Sequence, residues 1–166
     1  MQIELLLNII KILTDSPMRA VIQRVDRAGV TINQQEISSI NKGILILLGV
    51  EKEDTEADSD YILEKTVNLR IFEDEQDKMN KSLMETEGDL MVVSQFTLLG
   101  NCIKGRRPSF TAAEEPARAN GLYEYFVTKA KERVRHVATG KFQEMMKIEL
   151  VNDGPVTILL DSRKNF

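Results

Sequence analysis

The order of hydrophobic and polar positions along the chain predicts a protein built mainly of strands. Gly43–Val50 reads GILILLGV, and a continuous apolar run of this length is typical of a strand buried on both faces. Arg19–Val25 and Val30–Asn33 are predicted strands, with Asp26–Gly29 as the break between them. Glu36–Ile40 is predicted to be a further extended segment.

Two segments carry helical patterns. A helix is predicted over 56–69, with Asp54 and Thr55 as candidate caps and with its apolar residues on one side. A second helix is predicted to begin near Pro116, because proline is favoured in the first turn of a helix. Its apolar residues recur with a 3.6-residue period: Leu122, Tyr123, Phe126, Val127, Ala130 and Val134.

The strands and helices do not alternate strictly. Leu69–Phe72 is a candidate short strand, and Asp89–Leu98 (DLMVVSQFTL) is a second buried strand. Many strands with two interspersed helices favour the α+β class. We therefore predict a single domain of mostly antiparallel or mixed β-sheets that form a layered sandwich with two main helices.

The hexapeptide NDGPVT, residues 152–157, lies between two apolar extended runs. Asn-Asp-Gly alone would suffice for a tight turn. Proline donates no ladder hydrogen bond and fixes φ, so Pro155 makes the backbone stiffer than a turn requires. The segment is predicted to be a turn between two terminal strands, and its extra rigidity suggests a function.

Residues 1–17 (MQIELLLNIIKILTDSP) differ in pattern from the rest. The apolar run Leu5–Leu13 is interrupted by Asn8 and Lys11, and it is shorter than the roughly 20 residues of a membrane span. The segment lacks the basic start and small-residue cleavage site of a secretory signal. We expect 1–17 to be an N-terminal extension outside the core and 18–166 to be the functional domain. An amphipathic helix that docks on the body or on a membrane surface is the alternative.

Composition narrows the function classes. The net charge of −4 gives no global attraction to nucleic acid, so any RNA contact has to come from a local basic cluster. One cysteine, Cys102, excludes an internal disulfide and fits a reducing, cytoplasmic compartment. With a single histidine, His136, a zinc site of the usual ligands is not expected. No cofactor is predicted, and a carboxylate-held magnesium ion stays open as an alternative.

Several familiar catalytic patterns are missing from the sequence. His136 lies in a charged segment, KERVRHV, remote in sequence from any candidate nucleophile of a Ser-His-Asp triad. Cys102 has no Cys-His signature, and no glycine-rich phosphate loop is present. SQFTL (Ser94–Leu98) instead places hydroxyl and amide groups in an apolar strand, where unpaired polar groups cost free energy. Simple alternation, with Gln95 and Thr97 on the opposite face, is the other interpretation.

Eight motifs follow one another along the chain. They are MRAVIQRV (Met18–Val25), GILILLGV (Gly43–Val50), RIFEDEQDKMNKSL (Arg70–Leu83), SQFTL (Ser94–Leu98), KGRRPSF (Lys104–Phe110), LYEYF (Leu122–Phe126), TGKF (Thr139–Phe142) and NDGPVT (Asn152–Thr157). In this order they resemble the D-aminoacyl-tRNA deacylases, the D-Tyr-tRNA deacylase family. The likeness runs from Met18 to about Ser162. It departs from the usual family residues at Leu99-Gly100 and at Gln143-Glu144, where the resemblance leads us to expect Gly-Ala after Phe142.

The resemblance implies an ester hydrolase that releases D-amino acids from the 3′-terminal adenosine of tRNA. It also implies that glycine is cleared from mischarged tRNA. Members of this family are homodimers, in which the SQFTL strand of one subunit meets the Gly-Pro loop of the other. The residues that would line the ester are Ser94, Gln95, Phe96 and Thr97.

The same resemblance implies how the site would reject L-amino acids. Gly154 and Pro155, joined by a cis bond, would face the amino-acid α-carbon, with Asn152 beside them and Arg24 bracing the loop. A side chain can swing aside, whereas a proline-locked backbone cannot, so an L side chain would collide with it. Glycine would pass because it has no side chain.

Two mechanisms stay open for the hydrolysis. Thr97 could act as a nucleophile, although a threonine hydroxyl needs an activating partner. In the favoured alternative, backbone N–H groups around Phe96 and Thr97 hold the oxyanion, and the adenosine 2′-hydroxyl assists the attacking water.

Basic residues supply the predicted tRNA contacts. Lys104, Arg106 and Arg107 are expected to bind acceptor-stem phosphates, and a solvated basic surface is the other interpretation. Further candidates are Lys129, Lys131 and Arg133. A non-catalytic RNA-binding module and a hydrolase of free D-amino-acid esters are the rival function classes.

Overall fold

The fold was analysed in a computed structural model that describes residues 17–165. Its strands are β1 (Arg19–Ile32), β2 (Gln35–Ile40), β3 (Gly43–Gly49), β4 (Phe72–Glu73), β5 (Met79–Lys81), β6 (Asp89–Ser94), β7 (Val137–Thr139) and β8 (Lys147–Asp161). Its helices are α1 (Glu56–Asn68), α2 (Leu83–Thr86) and α3 (Pro116–Lys131), and a 3₁₀ turn covers Phe96–Leu99. Apart from Pro17, the predicted N-terminal extension, 1–17, lies outside the described residues.

The main sheet is mixed. Its strand order is β2–β1–β3–β6–β7, and β8 pairs with the other edge of β1. β1 runs antiparallel to β2, β3 and β8, whereas β3–β6 and β6–β7 are parallel pairs. β4 and β5 form a separate small hairpin. The predicted α+β class with mixed sheets is confirmed.

The strand β3 lies between two apolar layers. Ile44 and Ile46 pack into the cluster that contains the buried faces of α1 and α3. Leu45 packs on the opposite face, in a second cluster with residues of β6 and of the distal half of β1. Because both faces are covered, a continuous apolar run fits this strand, as the sequence predicted.

The predicted break at Asp26–Gly29 is wrong, because β1 is one strand of 14 residues. Its pairing with β8 shifts register on both sides of Val25, and the side chains of Asp26 and Arg27 face solvent there. This bulged region lets β1 pair first with β3 and then with β2 along the same edge. Polar residues that resemble a turn in the sequence are therefore the outer side of a bend within a strand.

The terminal segment is likewise one strand, β8, and not two strands joined by a turn. Among the described strands β8 pairs only with β1, so it forms an edge of the sheet. Proline is tolerated on an edge strand because a missing N–H can face away from the ladder. NDGPVT is thus an irregularity within an edge strand.

Two other strand predictions need correction, whereas both helix predictions are confirmed. β6 ends at Ser94, so the second half of the predicted strand Asp89–Leu98 is the 3₁₀ turn. Of the predicted strand Leu69–Phe72, only Phe72 belongs to β4. Thr55 is the N-cap of α1, and Pro116 is at the start of α3. Within residues 17–165 no helix is long and apolar enough to cross a bilayer.

Candidate active site

A cleft of about 580 Å³ opens where β3 and β6 end and α3 begins. This volume lies within the range of roughly 300–1,000 Å³ that is usual for small-ligand sites. Its lining residues are Val50, Ser94, Gln95, Phe96, Ala113, Glu114, Pro116, Ala119, Phe142, Gln143, Glu144, Met146 and Ile148. The wall is mainly apolar, and most of its polar groups are at Ser94, Gln95 and the two acidic residues.

The 3₁₀ turn places the SQFTL motif at this cleft. Gln95 N–H donates to the carbonyl oxygen of Leu48 at 2.8 Å, so the chain is still attached to β3 where β6 ends. It then turns outward, and the Phe96 side chain is 56% exposed. Ser94, Gln95 and Phe96 line the cleft, whereas Thr97 lies beside it and receives a hydrogen bond from the Gln95 side-chain amide.

The first backbone N–H groups of this turn follow the last ladder hydrogen bond, which Gln95 donates. A 3₁₀ turn leaves its first N–H groups without acceptors of its own. Within the described chain no hydrogen bond from the N–H groups of Phe96 or Thr97 to another residue is found. Two neighbouring donors are therefore free to bind an oxygen of a ligand.

The LYEYF and TGKF motifs build the opposite wall. Tyr123 is buried and donates its hydroxyl to the carbonyl oxygen of Val92 at 2.9 Å, and burial raises the pKa of Tyr123 to about 12. Its ring centroid lies 6.1 Å from that of Phe142, which lines the cleft. Tyr123 therefore stays neutral at physiological pH, and its hydrogen bond to β6 and its ring contact hold Phe142 in place at the cleft.

NDGPVT forms a clamped bend in β8. Arg24 is only 2% exposed, and its Nε lies 3.0 Å from Asp153 Oδ2, while Nη1 donates to the carbonyl oxygen of Ile71 at 2.5 Å. The side-chain amide nitrogen of Asn152 faces two backbone carbonyl oxygens. It donates to that of Arg24 at 2.8 Å and to that of Val156 at 3.3 Å. Hydrogen bonds and an ion pair therefore fix the chain before and after the glycine.

Gly154 and Pro155 lie at the tip of this bend and are exposed. Gly154 has φ +109°, a conformation that other residues rarely adopt, and a Cβ there would lie 2.5 Å from Arg24 Nη2. The peptide bond between Gly154 and Pro155 is cis. The bend thus presents bare backbone to solvent.

Within one chain the two predicted halves of the site stay apart. β1 and β3 lie between β8, which carries Gly154, and β6, which carries Ser94. Three strand spacings correspond to roughly 14 Å across the sheet. None of Asn152, Gly154, Pro155 and Arg24 lines the cleft.

The predicted phosphate-binding residues lie on a loop at the rim of the cleft. A two-way backbone bridge between Asn101 and Ser109 closes the loop, whose tip carries the exposed side chains of Lys104, Arg106 and Arg107. Phe110 anchors it, with its ring edge-on to Phe96 at a centroid distance of 5.2 Å. No ion pair of these three cations is found within residues 17–165.

Two of the three further basic candidates, Lys129 and Arg133, have acidic neighbours. Lys129 Nζ lies 3.2 Å from Glu132 Oε2, and Arg133 Nη1 lies 2.5 Å from Glu64 Oε2. These pairs are on the outer surface of the helices, so they match the solvated-surface interpretation.

Neither of the remaining polar candidates, His136 and Cys102, lines the cleft. His136 Nδ1 is 3.2 Å from Asp89 Oδ2, at the end of β6 opposite Ser94, and Cys102 is exposed on the basic loop. No group of three or more His, Cys, Asp or Glu side chains arranged for a metal ion occurs in the described part of the chain.

A buried carboxyl group lies behind the cleft wall. Asp54 is fully buried, and its Oδ2 accepts the N–H of Glu51 at 2.7 Å. Its carbonyl oxygen accepts a hydrogen bond from Arg118 at 2.7 Å, and Arg118 also pairs with the cleft residue Glu114 at 3.0 Å. Burial raises the pKa of Asp54 to about 7, so its ionisation in the folded protein is costly.

Asp54→Asn is expected to stabilise the protein most at high pH. The pKa of Asp54 rises from 3.8 to about 7 on folding, so its contribution to stability is complete below pH 3.8 and is lost as the pH rises to 7. Asparagine keeps an oxygen for the N–H of Glu51 and never ionises. The difference in free energy of unfolding between variant and parent should therefore grow by about 2–4 kcal/mol from pH 4 to pH 8. Urea denaturation at fixed protein concentration measures it.

Asp77→Asn makes the same chemical change at an exposed position and is the control for that measurement. A difference for Asp54→Asn that does not change with pH would mean that the Asp54 carboxyl does not carry the cost of burial.

Several cleft residues were not predicted from the sequence. Ala113, Glu114 and Pro116 reach the cleft because loop 101–115 folds back on β3: the N–H of Glu114 donates to the carbonyl oxygen of Val50 at 3.0 Å. Gln143 has φ +61°, and this unusual conformation agrees with the glycine expected there from the family resemblance. The departure from the family pattern at Gln143 was thus the sequence signal that could have marked this residue as part of the site.

Known proteins with a similar sequence cover nearly the whole chain. The D-aminoacyl-tRNA deacylases of Syntrophus aciditrophicus and Clostridioides difficile are 60% and 59% identical to it over 149 residues, which cover 90% of this chain and 100% of each relative. A solved structure of a c-Myc DNA unwinding element binding protein is 42% identical, with a TM-score of 0.82 over 86% of this chain and 97% of that chain. The structure of a probable eukaryotic D-amino acid tRNA deacylase has the same fold, with a TM-score of 0.75 at 17% identity.

The family model described as D-Tyr-tRNA(Tyr) deacylase matches residues 21–161, which include the 3₁₀ turn, the cleft and the clamped bend. This match and the two relatives near 60% identity confirm the family and the enzyme class predicted from the motifs. The chain belongs to the D-Tyr-tRNA(Tyr) deacylase family.

Proposed function

We propose that this protein hydrolyses the ester bond of D-aminoacyl-tRNA, and of glycyl-tRNA, to release the free amino acid and tRNA. One observation carries the proposal: within residues 17–165, a mainly apolar cleft has two unpaired backbone N–H donors at one edge and, at its rim, a loop of cations for which no ion pair is found. An apolar wall suits a nucleobase, the donors suit an ester oxygen and the cations suit phosphates. The 3′ end of an aminoacyl-tRNA combines these groups.

The active site of this proposal is shared by two copies of the chain. Gly154 and Pro155 are clamped and exposed, yet they lie away from the cleft of their own chain. A rigid bend on a sheet edge can instead enter the cleft of a second copy beside Phe96. Exposed apolar side chains on β8, Val151 and Leu159, support this edge as the contact surface.

Rejection of L-amino acids follows from this placement. The bend offers backbone atoms close to the α-carbon of the substrate, and the Arg24 clamp prevents them from withdrawing. A D side chain points away from the bend, a glycine has no side chain to collide, and an L side chain points into it. Steric exclusion of this kind discriminates more strongly than added attraction to the correct substrate.

Hydrolysis proceeds by attack of water on the ester carbon. The negative charge that develops on the carbonyl oxygen is held by the N–H groups of Phe96 and Thr97, each worth about 3–4 kcal/mol if well placed. The adenosine 2′-hydroxyl of the substrate assists the water. The electron pair of the ester C–O bond leaves with the 3′ oxygen, which takes up a proton.

The cations at the rim bind the acceptor stem. Lys104, Arg106 and Arg107 extend from a loop that Phe110 fixes beside Phe96, so phosphates bound at its tip would hold the 3′ end over the cleft. Phosphate contacts of this kind weaken steeply as salt concentration rises.

One deacylation assay separates the proposed function from its rivals. D-Tyr-tRNA, L-Tyr-tRNA, Gly-tRNA and D-Tyr methyl ester are compared at low and at high salt. We expect turnover of D-Tyr-tRNA and Gly-tRNA, little turnover of L-Tyr-tRNA, and a loss of kcat/KM at high salt for the tRNA substrates alone.

Binding of tRNA without turnover would favour a non-catalytic RNA-binding module. Equal turnover of D-Tyr methyl ester and D-Tyr-tRNA, without a salt effect, would favour a hydrolase of free esters. Equal turnover of the D and L substrates would refute the chiral filter.

A further inference from the structure

Two residues outside the cleft hold the 3₁₀ turn in place. Arg19 on β1 and Gly49 on β3 face each other in the ladder below the turn. Arg19 Nη1 donates to the carbonyl oxygen of Leu98, the third residue of the turn, at 3.1 Å. Neither residue lines the cleft, so any effect on the reaction has to pass through the turn.

Gly49 provides the space in which the turn is seated. A Cβ at this position would lie 2.6 Å from Leu99 Cδ2 and 3.0 Å from the carbonyl oxygen of Gln95. The second atom belongs to the backbone, so it cannot move aside without shifting the turn. Leu99 is itself only 2% exposed and fixes the far end of the turn on the sheet.

We propose that Arg19 and Gly49 are positioning residues that set the height and tilt of the 3₁₀ turn. This inference rests on the proposed function, in which the N–H groups of Phe96 and Thr97 bind the oxyanion. Arg19 holds the turn down through the carbonyl oxygen of Leu98, and the missing side chain of Gly49 lets it approach β3. Donors must be in place before reaction, and a displacement of about 1 Å can cost about a hundredfold in rate.

The kinetics of two Arg19 variants and one control variant test the inference. Arg19→Met removes the donor and keeps most of the volume, whereas Arg19→Lys keeps a donor. For D-Tyr-tRNA we expect Arg19→Met to lower kcat at least about tenfold with KM within about twofold, because the interaction lost matters mainly in the transition state. Arg19→Lys should recover most of kcat. The exposed Arg27→Met on the same strand is the control and should match the parent.

Gly49→Ala disturbs the same turn by adding volume beneath it, whereas Arg19→Met removes a hydrogen bond. The new methyl group meets the backbone, so we expect a larger fall in kcat, about a hundredfold, again with little change in KM. Amide hydrogen exchange gives a readout that does not depend on activity. In both variants, Leu98 and Gly100, whose N–H groups bond within the turn, should exchange faster, while the amides of β6 keep their protection.

The outcomes separate the inference from the proposed function. If the parent fails to hydrolyse D-Tyr-tRNA, the proposed function fails, and the exchange data alone then decide whether Arg19 braces the turn. If the parent is active and Arg19→Met keeps its kcat and its exchange at Leu98, the brace is refuted. A raised KM with unchanged kcat also refutes it. If the amides of β6 also exchange faster in Arg19→Met, this variant disturbs more than the turn. The kcat values and the exchange at Leu98 and Gly100 in Arg19→Lys and Gly49→Ala then decide whether the brace exists.

Discussion

Replacing Pro155 with alanine is expected to make the protein hydrolyse L-Tyr-tRNA. The proline ring fixes φ at the tip of the β8 bend. Alanine has a wider choice of backbone conformations than proline, and position 155 is exposed, so it has room to adopt them. An L side chain can then displace the backbone instead of being excluded by it.

The expected effect is large because the proposed filter is steric. Rejection of an abundant L-aminoacyl-tRNA requires discrimination of about 10³–10⁵, which corresponds to about 4–7 kcal/mol. We expect the ratio of kcat/KM for D-Tyr-tRNA to that for L-Tyr-tRNA to fall at least about a hundredfold in Pro155→Ala. The value for Gly-tRNA should change little, because glycine has no side chain for the filter to test.

The matched control is Glu149→Ala, at an exposed position on the same strand outside residues 152–157. It removes a side chain of β8 without touching the bend, and its D/L ratio should equal that of the parent. Unchanged rejection of L-Tyr-tRNA by Pro155→Ala, with activity on D-Tyr-tRNA retained, would show that the filter lies elsewhere.

The sequence predicted those elements whose cause is local. Thr55 and Pro116 mark helix starts through their own backbone preferences, and the structure has α1 and α3 beginning there. The apolar run of β3 needed no knowledge of its partners, because burial of both faces leaves only hydrophobic positions. Pro155 was conspicuous because a proline within an extended run conflicts with its surroundings, and such conflicts often mark functional positions.

The errors arose where distant parts of the chain decide the local structure. Phe96–Leu99 has the composition of a strand, yet it turns away because Gly49, nearly fifty residues earlier, leaves room for it and Leu99 fills that room. The Asp26–Gly29 region resembles a turn, but pairing with β8 keeps it extended. Much of the cleft wall comes from segments 113–119 and 142–148, and no local pattern indicates that these meet.

Removal of the substrate 2′-hydroxyl is expected to cost far more activity than removal of the Thr97 hydroxyl. In the described structure the Thr97 hydroxyl contacts the Gln95 amide, which cannot take up its proton. His136 is paired with Asp89 at the other end of β6, about 17 Å from Ser94 by the rise per residue of a strand. A threonine without a general base is a poor nucleophile.

We therefore expect Thr97→Ala to keep kcat for D-Tyr-tRNA within about threefold, since the backbone donors remain. The parent protein should hydrolyse D-Tyr-tRNA that ends in 2′-deoxyadenosine at least about a hundredfold more slowly than normal D-Tyr-tRNA. A loss of this size is usual when an assisted proton transfer is removed. Single-turnover rates measure both effects without interference from product release. A deoxy substrate that reacts at the normal rate, together with an inactive Thr97→Ala, would instead make Thr97 the nucleophile. The two routes therefore differ in which molecule, the tRNA or the protein, supplies the hydroxyl on which hydrolysis depends.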